Sequence, residues 1–198
     1  MGGSPGFVNL QVAKSGQEWR RMSKECIERI TLTVSEEQRS QVETLLGRPP
    51  RGLEDVPVCS PQGQPMVIRV ASLVDDKPFP TLFWLVDPQI CYRIDGEEAS
   101  GLIARLQQQI DHSAELKSGM EDDHKRYIAL RESYIDEPQR QRIATLGFGD
   151  VFQHKGIGGI ADFTRIRCLH TWYAAHLVTS NTVGRLLEDY WHQGSLPD

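Results

Sequence analysis

No stretch of this 198-residue chain approaches the roughly 18 consecutive apolar residues needed to cross a bilayer. Its start, MGGSPGFVNLQ, lacks the basic region and apolar core of a secretory signal. The expectation is a cytoplasmic protein with no membrane partner. Cysteine is scarce: the four, Cys26, Cys59, Cys91 and Cys168, are widely separated and form no C-x-x-C pair. That spacing excludes a zinc ribbon and a thioredoxin-like motif, and in a reducing compartment all four should be thiols. No block of like charge is long enough for a nucleic-acid tail, and the net charge of −5 disfavours general nucleic-acid binding. Internal repeats and low-complexity tracts are absent. So are the Ser/His/Asp nucleophile elbow, the P-loop and the dinucleotide fingerprint.

What is present is ordinary globular composition, 39% hydrophobic and 25% charged, in a chain long enough to bury a core without staples. The pattern divides into an N-terminal extension (1–34), a single α+β domain (35–192) and a tail (193–198). The extension carries a charged amphipathic segment over 18–30. Ser35 and Gln38 form a capping box that predicts a helix over 36–46, with Gly47 as left-handed C-cap and Pro49-Pro50 forbidding continuation. β-branched and aromatic residues over 66–70 and 81–86, separated by a turn at 75–78, predict two antiparallel strands. Residues 97–137 favour helix, weakened at Gly101 and Ser118-Gly119, so two helices or one bent helix is expected there. A loop with five glycines follows; then Asp162 as N-cap predicts a helix over 163–178, and a last short helix spans 182–192. The fold class is thus α+β, a small antiparallel hairpin or sheet packed on several helices.

Reactive side chains are densest over residues 165–176, which hold Arg165, Arg167, Cys168, His170, Tyr173 and His176. Cysteine, histidine and tyrosine supply a nucleophile or metal ligands, and arginine favours a thiolate or an anion. On a regular helix residues two apart point about 200° from each other, so Cys168 and His170 meet at one ion only if the backbone at Cys168 is extended or irregular. Each has a structural alternative: Cys168 as a small buried packing residue, His170 as a core histidine satisfied by a carbonyl or by Tyr173. Gly158 and Gly159, after Lys155, lead towards the expected helix N-terminus, where free N–H groups favour a phosphate or carboxylate; the alternative is a flexible loop using glycine for turns. His124 and Arg131 share one face of the long helical segment and could join the cluster. Asp95 is the candidate nearby carboxylate.

Pro78-Phe79-Pro80-Thr81-Leu82-Phe83-Trp84-Leu85 and Arg167-Cys168-Leu169-His170 resemble a bacterial family known as domain of unknown function 501. The resemblance runs from about Ser35 to Tyr190 and includes residues 46–52, Arg93-Ile94-Asp95, His124-Lys125-Arg126-Tyr127 with Arg131, and Val183-Gly184-Arg185. Where many members have a Cys-Pro-Cys-Gly-like segment this chain reads Cys59-Ser60-Pro61-Gln62-Gly63, and Asp87 stands where many have cysteine. Those departures from the family pattern argue against a zinc-knuckle role for the N-terminal cysteines. The resemblance names no reaction; in actinobacteria the family's genes often lie near those for cell-division and polyphosphate proteins, an association only. It adds weight to Asp95, His124, Arg131, Cys168, His170 and Tyr173.

Two functions follow. One is a polar pocket that binds a divalent metal, zinc or iron, or a small anionic ligand and is open to catalysis. There His124, His170, Cys168 and Tyr173 are the candidate catalytic groups, His124, His170 and Asp95 the metal ligands, and Arg131, Arg167, Gly158 and Gly159 the ligand-binding set. The other is a non-enzymatic module that contacts a protein partner in cell division or phosphate metabolism, with the same cluster as an internal network. RNA contact through Lys155, Arg165, Arg167 and Arg185 is a third reading, opposed by the acidic total.

Overall fold

The structure, a computed structural model, describes residues 34–193; the expected extension and tail lie outside the described residues apart from residues 34 and 193. Helix α1 (Glu36–Leu46) starts on the capping box, with Ser35 and Gln38 each taking the other's backbone N–H, and ends on Gly47 at φ 66°. Strand β1 (Leu53–Cys59), broken by register shifts, pairs antiparallel with β2 (Pro65–Val70). The sequence pattern does not announce β1, because Pro57 and those irregularities interrupt its alternation. The two expected strands do pair: β2 runs antiparallel to β5 (Phe83–Leu85), giving the sheet order β1-β2-β5. Their connection folds into its own small hairpin, β3 (Leu73–Val74) against β4 (Lys77–Pro78).

Seven helices follow. Asp87 caps α2 (Pro88–Ala99) by accepting Ile90 N–H at 2.9 Å, with Pro88 in the first turn. Gly101, at φ 82°, separates α2 from α3 (Leu102–His112). Ser113 caps α4 (Ala114–Ser133), which is followed by α5 (Glu137–Thr145), α6 (Gly149–His154), a 3₁₀ turn at Ile157–Gly159, α7 (Leu169–Val178) and α8 (Thr182–Gln193). The expected break at Ser118-Gly119 does not occur. Gly119 lies mid-helix because Thr182 packs onto it: a Cβ there would stand 2.7 Å from Thr182 Oγ1. No described helix is long and apolar enough to cross a membrane.

The sheet separates two apolar clusters, as alternation along a strand requires. Val67, Phe83 and Leu85 join the main core with Ile94 of α2, Leu106 of α3, Met120 of α4, and Leu169 and Trp172 of α7. On the other face Ile68, Val70 and Trp84 pack with Val42 of α1.

The helix expected over 163–178 begins six residues late, at Leu169. Asp162 caps no helix; its carboxylate takes the N–H and hydroxyl of Thr164. Beyond it the backbone is held by a side chain from α3. Gln107 donates to Thr164 O at 2.9 Å and accepts Ile166 N–H at 2.9 Å, pairing with the chain much as a neighbouring strand would. Cys168 is extended, φ −156° and ψ 125°.

Candidate metal centre

That extended residue satisfies the condition the sequence set for Cys168 and His170 to meet. Cys168 stands at the N-cap of α7 without capping it by a hydrogen bond. Glu98 of α2 takes the cap role, its Oε1 accepting Leu169 N–H at 2.6 Å. His170 is then carried back over the helix start, so that its Nδ1 lies 3.7 Å from Cys168 Sγ and 3.5 Å from Glu98 Oε1. One ligand atom from each of Glu98, Cys168 and His170 lies within 4.8 Å of the others, and among the described residues no other group of three or more such side chains does so. The far nitrogen, Nε2, lies 3.4 Å from Asp95 Oδ1.

Helix α2 supplies this wall as a stripe. Cys91, Asp95 and Glu98 recur at i, i+4 and i+7, one face of a helix, while Ile94 beside them is fully buried and anchors the helix to the core. Burial pushes the Cys91 thiol up to about 11, with Asp95, Asp87 and Cys168 adding to it. Burial also raises the Cys168 thiol; the backbone N–H of Thr171 and of His170 pull against that, and the Glu98 carboxylate reinforces it. Both sulfurs are therefore protonated at neutral pH, which speaks against Cys168 as a ready-made thiolate nucleophile. The group is a cluster of electron-pair donors with anionic neighbours, and among the described residues no Lys or Arg makes an ion pair with Asp95 or Glu98. Beside His170 opens a cavity of about 280 Å³ lined by Thr81, Phe83, Trp84, Leu85 and Thr171.

The remaining candidates lie elsewhere. His124 of α4 is fully buried; its Nδ1 accepts Ile157 N–H at 2.9 Å, and its ring stacks on Phe163. With Nδ1 so engaged the neutral ring carries its proton on Nε2, so neither nitrogen is offered to an ion, and His124 is absent from the group that holds His170. Arg131 is also buried, and its guanidinium donates to three carbonyls, Pro80 O at 2.7 Å, Lys155 O at 2.7 Å and Phe152 O. It ties the end of α6 to the loop before β5, which leaves little of it for an anionic ligand. Tyr173 faces Glu188, 3.4 Å from its hydroxyl, and stacks on His176, away from Cys168. Arg167 is exposed, and because successive side chains of an extended chain point to opposite sides it is directed away from Cys168. Gly158 and Gly159, both at φ 70°, lead to no helix N-terminus, since α7 starts ten residues after Gly159. Gly158 packs on α7 instead, where a Cβ would meet Thr171 Oγ1 at 2.9 Å. The sequence reading missed Glu98 and Cys91; the signal available was the i, i+4, i+7 stripe through Asp95.

Residues 56–189 match the sequence model of the family described as "Protein of unknown function (DUF501)". Nothing among curated proteins or solved structures matches the chain.

Proposed function

The chain belongs to the DUF501 family, whose description names no activity, and on that premise we propose, from the site itself, that it binds one divalent transition-metal ion through Glu98, Cys168 and His170. The supporting observation is the convergence of three chemically different donors within 4.8 Å of one another on a residue, Cys168, whose backbone is held out of the helix. The separations of 3.7 Å and 3.5 Å from His170 Nδ1 are close to the edge of a tetrahedron with bonds of about 2.0–2.3 Å, the zinc range. Asp95 acts one step out. Its Oδ1 lies 3.4 Å from His170 Nε2, placed to hold the proton on that nitrogen and leave Nδ1 for the metal, as in the carboxylate–histidine–metal relay that orients many such ligands.

A thiolate with imidazole and carboxylate suits zinc or iron and disfavours magnesium and calcium, which take oxygen donors. A dication also resolves the electrostatics, since it converts Cys168 to thiolate and offsets the repulsion among Asp95, Glu98 and the sulfurs. Three protein donors leave a tetrahedral ion one position for a small ligand. That is the arrangement of a catalytic site rather than of a closed structural one.

The test is a zinc titration against a chromophoric chelator, using protein purified without affinity-tag metal. Wild type should bind one equivalent, and Cys168→Ser, His170→Ala and Glu98→Gln should each weaken binding at least tenfold while His124→Asn keeps it. A wild type that leaves all the zinc with the chelator would end this reading, as would ligand variants that bind like wild type.

A further inference from the structure

A cleft of about 230 Å³ lies where the loop after α1 meets the β3–β4 hairpin, lined among others by Arg48, Arg51, Lys77, Phe79, Trp84 and Ile68. It is on the other face of the sheet from the Glu98–Cys168–His170 group: Trp84 packs with Ile68 and Val70 of the second cluster, whereas Phe83 and Leu85 on either side face the main core. Its two walls are locked together. Gly52, at φ 70°, lets the loop lie directly on the hairpin, since a Cβ there would stand 2.4 Å from Val74 Cγ2. Ala71 N–H donates to Gly52 O at 2.8 Å, and Arg51 pairs with Asp75 at 3.4 Å.

The rim also carries the strained backbone of the described residues. Val74 pairs with Lys77, leaving a two-residue turn of Asp75 at φ 51° and Asp76 at φ 59°. Glycine and asparagine adopt this left-handed geometry most readily, so two consecutive aspartates need holding. Arg51 holds the first, and Arg142 of α5 grips the second through Nε, 2.9 Å from Oδ1, and through Nη2. The turn that carries Lys77 is thereby tied to the loop after α1 on one side and to α5 on the other.

In a chain of net charge −5 the cleft gathers three cations against one carboxylate. Asp75 is engaged by Arg51, and neither Arg48 nor Lys77 makes an ion pair among the described residues. The Arg48 guanidinium stands 5.9 Å from the centre of the Trp84 ring. That ring is held by its N–H donating to Thr81 O at 3.2 Å, and Phe79 lies 6.3 Å from it at a tilt of 38°. Cations at the rim over an aromatic floor match a molecule with an anionic end and a planar apolar body. The volume falls below the roughly 300 Å³ at which drug-sized pockets begin, which limits that body to about one ring.

We propose that this cleft is a second binding site, for a small aromatic anion whose phosphate or carboxylate sits between Arg48 and Lys77 and whose ring lies against Trp84. Trp84 also lines the cavity beside His170, so the backbone signals of residues 48–52 and 75–77, rather than the indole alone, assign binding to this cleft. The test follows the Trp84 indole N–H signal by ¹H–¹⁵N NMR while phenyl phosphate, inorganic phosphate or benzyl alcohol is added to the full chain. Phenyl phosphate should move that signal and the backbone signals of residues 48–52 and 75–77 saturably, and at least tenfold more tightly than either fragment alone. An Arg48→Gln, Lys77→Gln double variant, altered only at exposed side chains and checked for an unchanged melting temperature, should lose at least tenfold in affinity. Cys168→Ser should bind as wild type does. Inorganic phosphate equal to phenyl phosphate would overturn the aromatic part of the assignment. Shifts that do not saturate, or that persist in the double variant, would overturn the site.

Discussion

Lowering the pH from 7 to 5 should destabilise this protein through one buried histidine. His124 lies at 0% exposure on α4, its Nδ1 accepting Ile157 N–H at 2.9 Å and its ring between Phe163, at 4.5 Å, and Trp172, at 4.9 Å. Burial pushes its pKa from an ordinary 6.5 down to about 4, with the Asp162 carboxylate pulling weakly the other way. The unfolded chain therefore takes up the proton first as the pH falls. The stability contribution is complete above about 6.5, declines between there and about 4, and is flat below. Integrated from pH 7 to pH 5 the loss is about 2 kcal/mol. The assay is urea unfolding at both pH values for wild type and for His124→Asn, whose amide oxygen can still take the Ile157 N–H but which has no proton to gain. Wild type should lose about 2 kcal/mol more than the variant over that interval. Equal pH slopes would refute a neutral imidazole held in the core.

Gln107→Ala removes both bonds to the 164–166 backbone and should cost about 2 kcal/mol in urea unfolding, at about 1 kcal/mol per bond; it should also weaken zinc binding, because Cys168 loses its extended setting. Arg131→Met strands the carbonyls of Pro80, Phe152 and Lys155 and should destabilise by about 3 kcal/mol or more by the same measurement; a loss under about 1 kcal/mol would show that water replaces the guanidinium there. Asp95→Asn should leave the unfolding midpoint unchanged and weaken zinc binding about tenfold, as expected for a group that orients a ligand; an unchanged affinity would remove Asp95 from the site.

Local signals were the legible ones. The Ser35–Gln38 box and Gly47 give α1 residue by residue, and the apolar runs give the β2–β5 pairing. Cys168 and His170 declare themselves as reactive types, and the requirement for a non-helical backbone between them follows from helix geometry alone. What the sequence does not disclose depends on distant partners. The extended run before Leu169 is imposed by Gln107 and Glu98, 59 and 71 residues away from the backbone groups they bind, against a local pattern that favours helix from Phe163. Gly119 reads as a helix breaker until Thr182 is found packed on it. His124 and Arg131 have the residue types of a site, but burial among backbone donors and acceptors gives them structural work.

The most direct test of the metal centre is substitution with cobalt(II), whose thiolate-to-metal charge-transfer absorption reports a sulfur ligand. Titration of the full chain should develop that band to an end point at one equivalent, with tetrahedral visible transitions. The band should vanish in Cys168→Ser while both sets of absorptions survive in His124→Asn. Cobalt bound without a sulfur band, or with a band that Cys168→Ser leaves intact, would contradict the assignment of Glu98, Cys168 and His170 as the ligands.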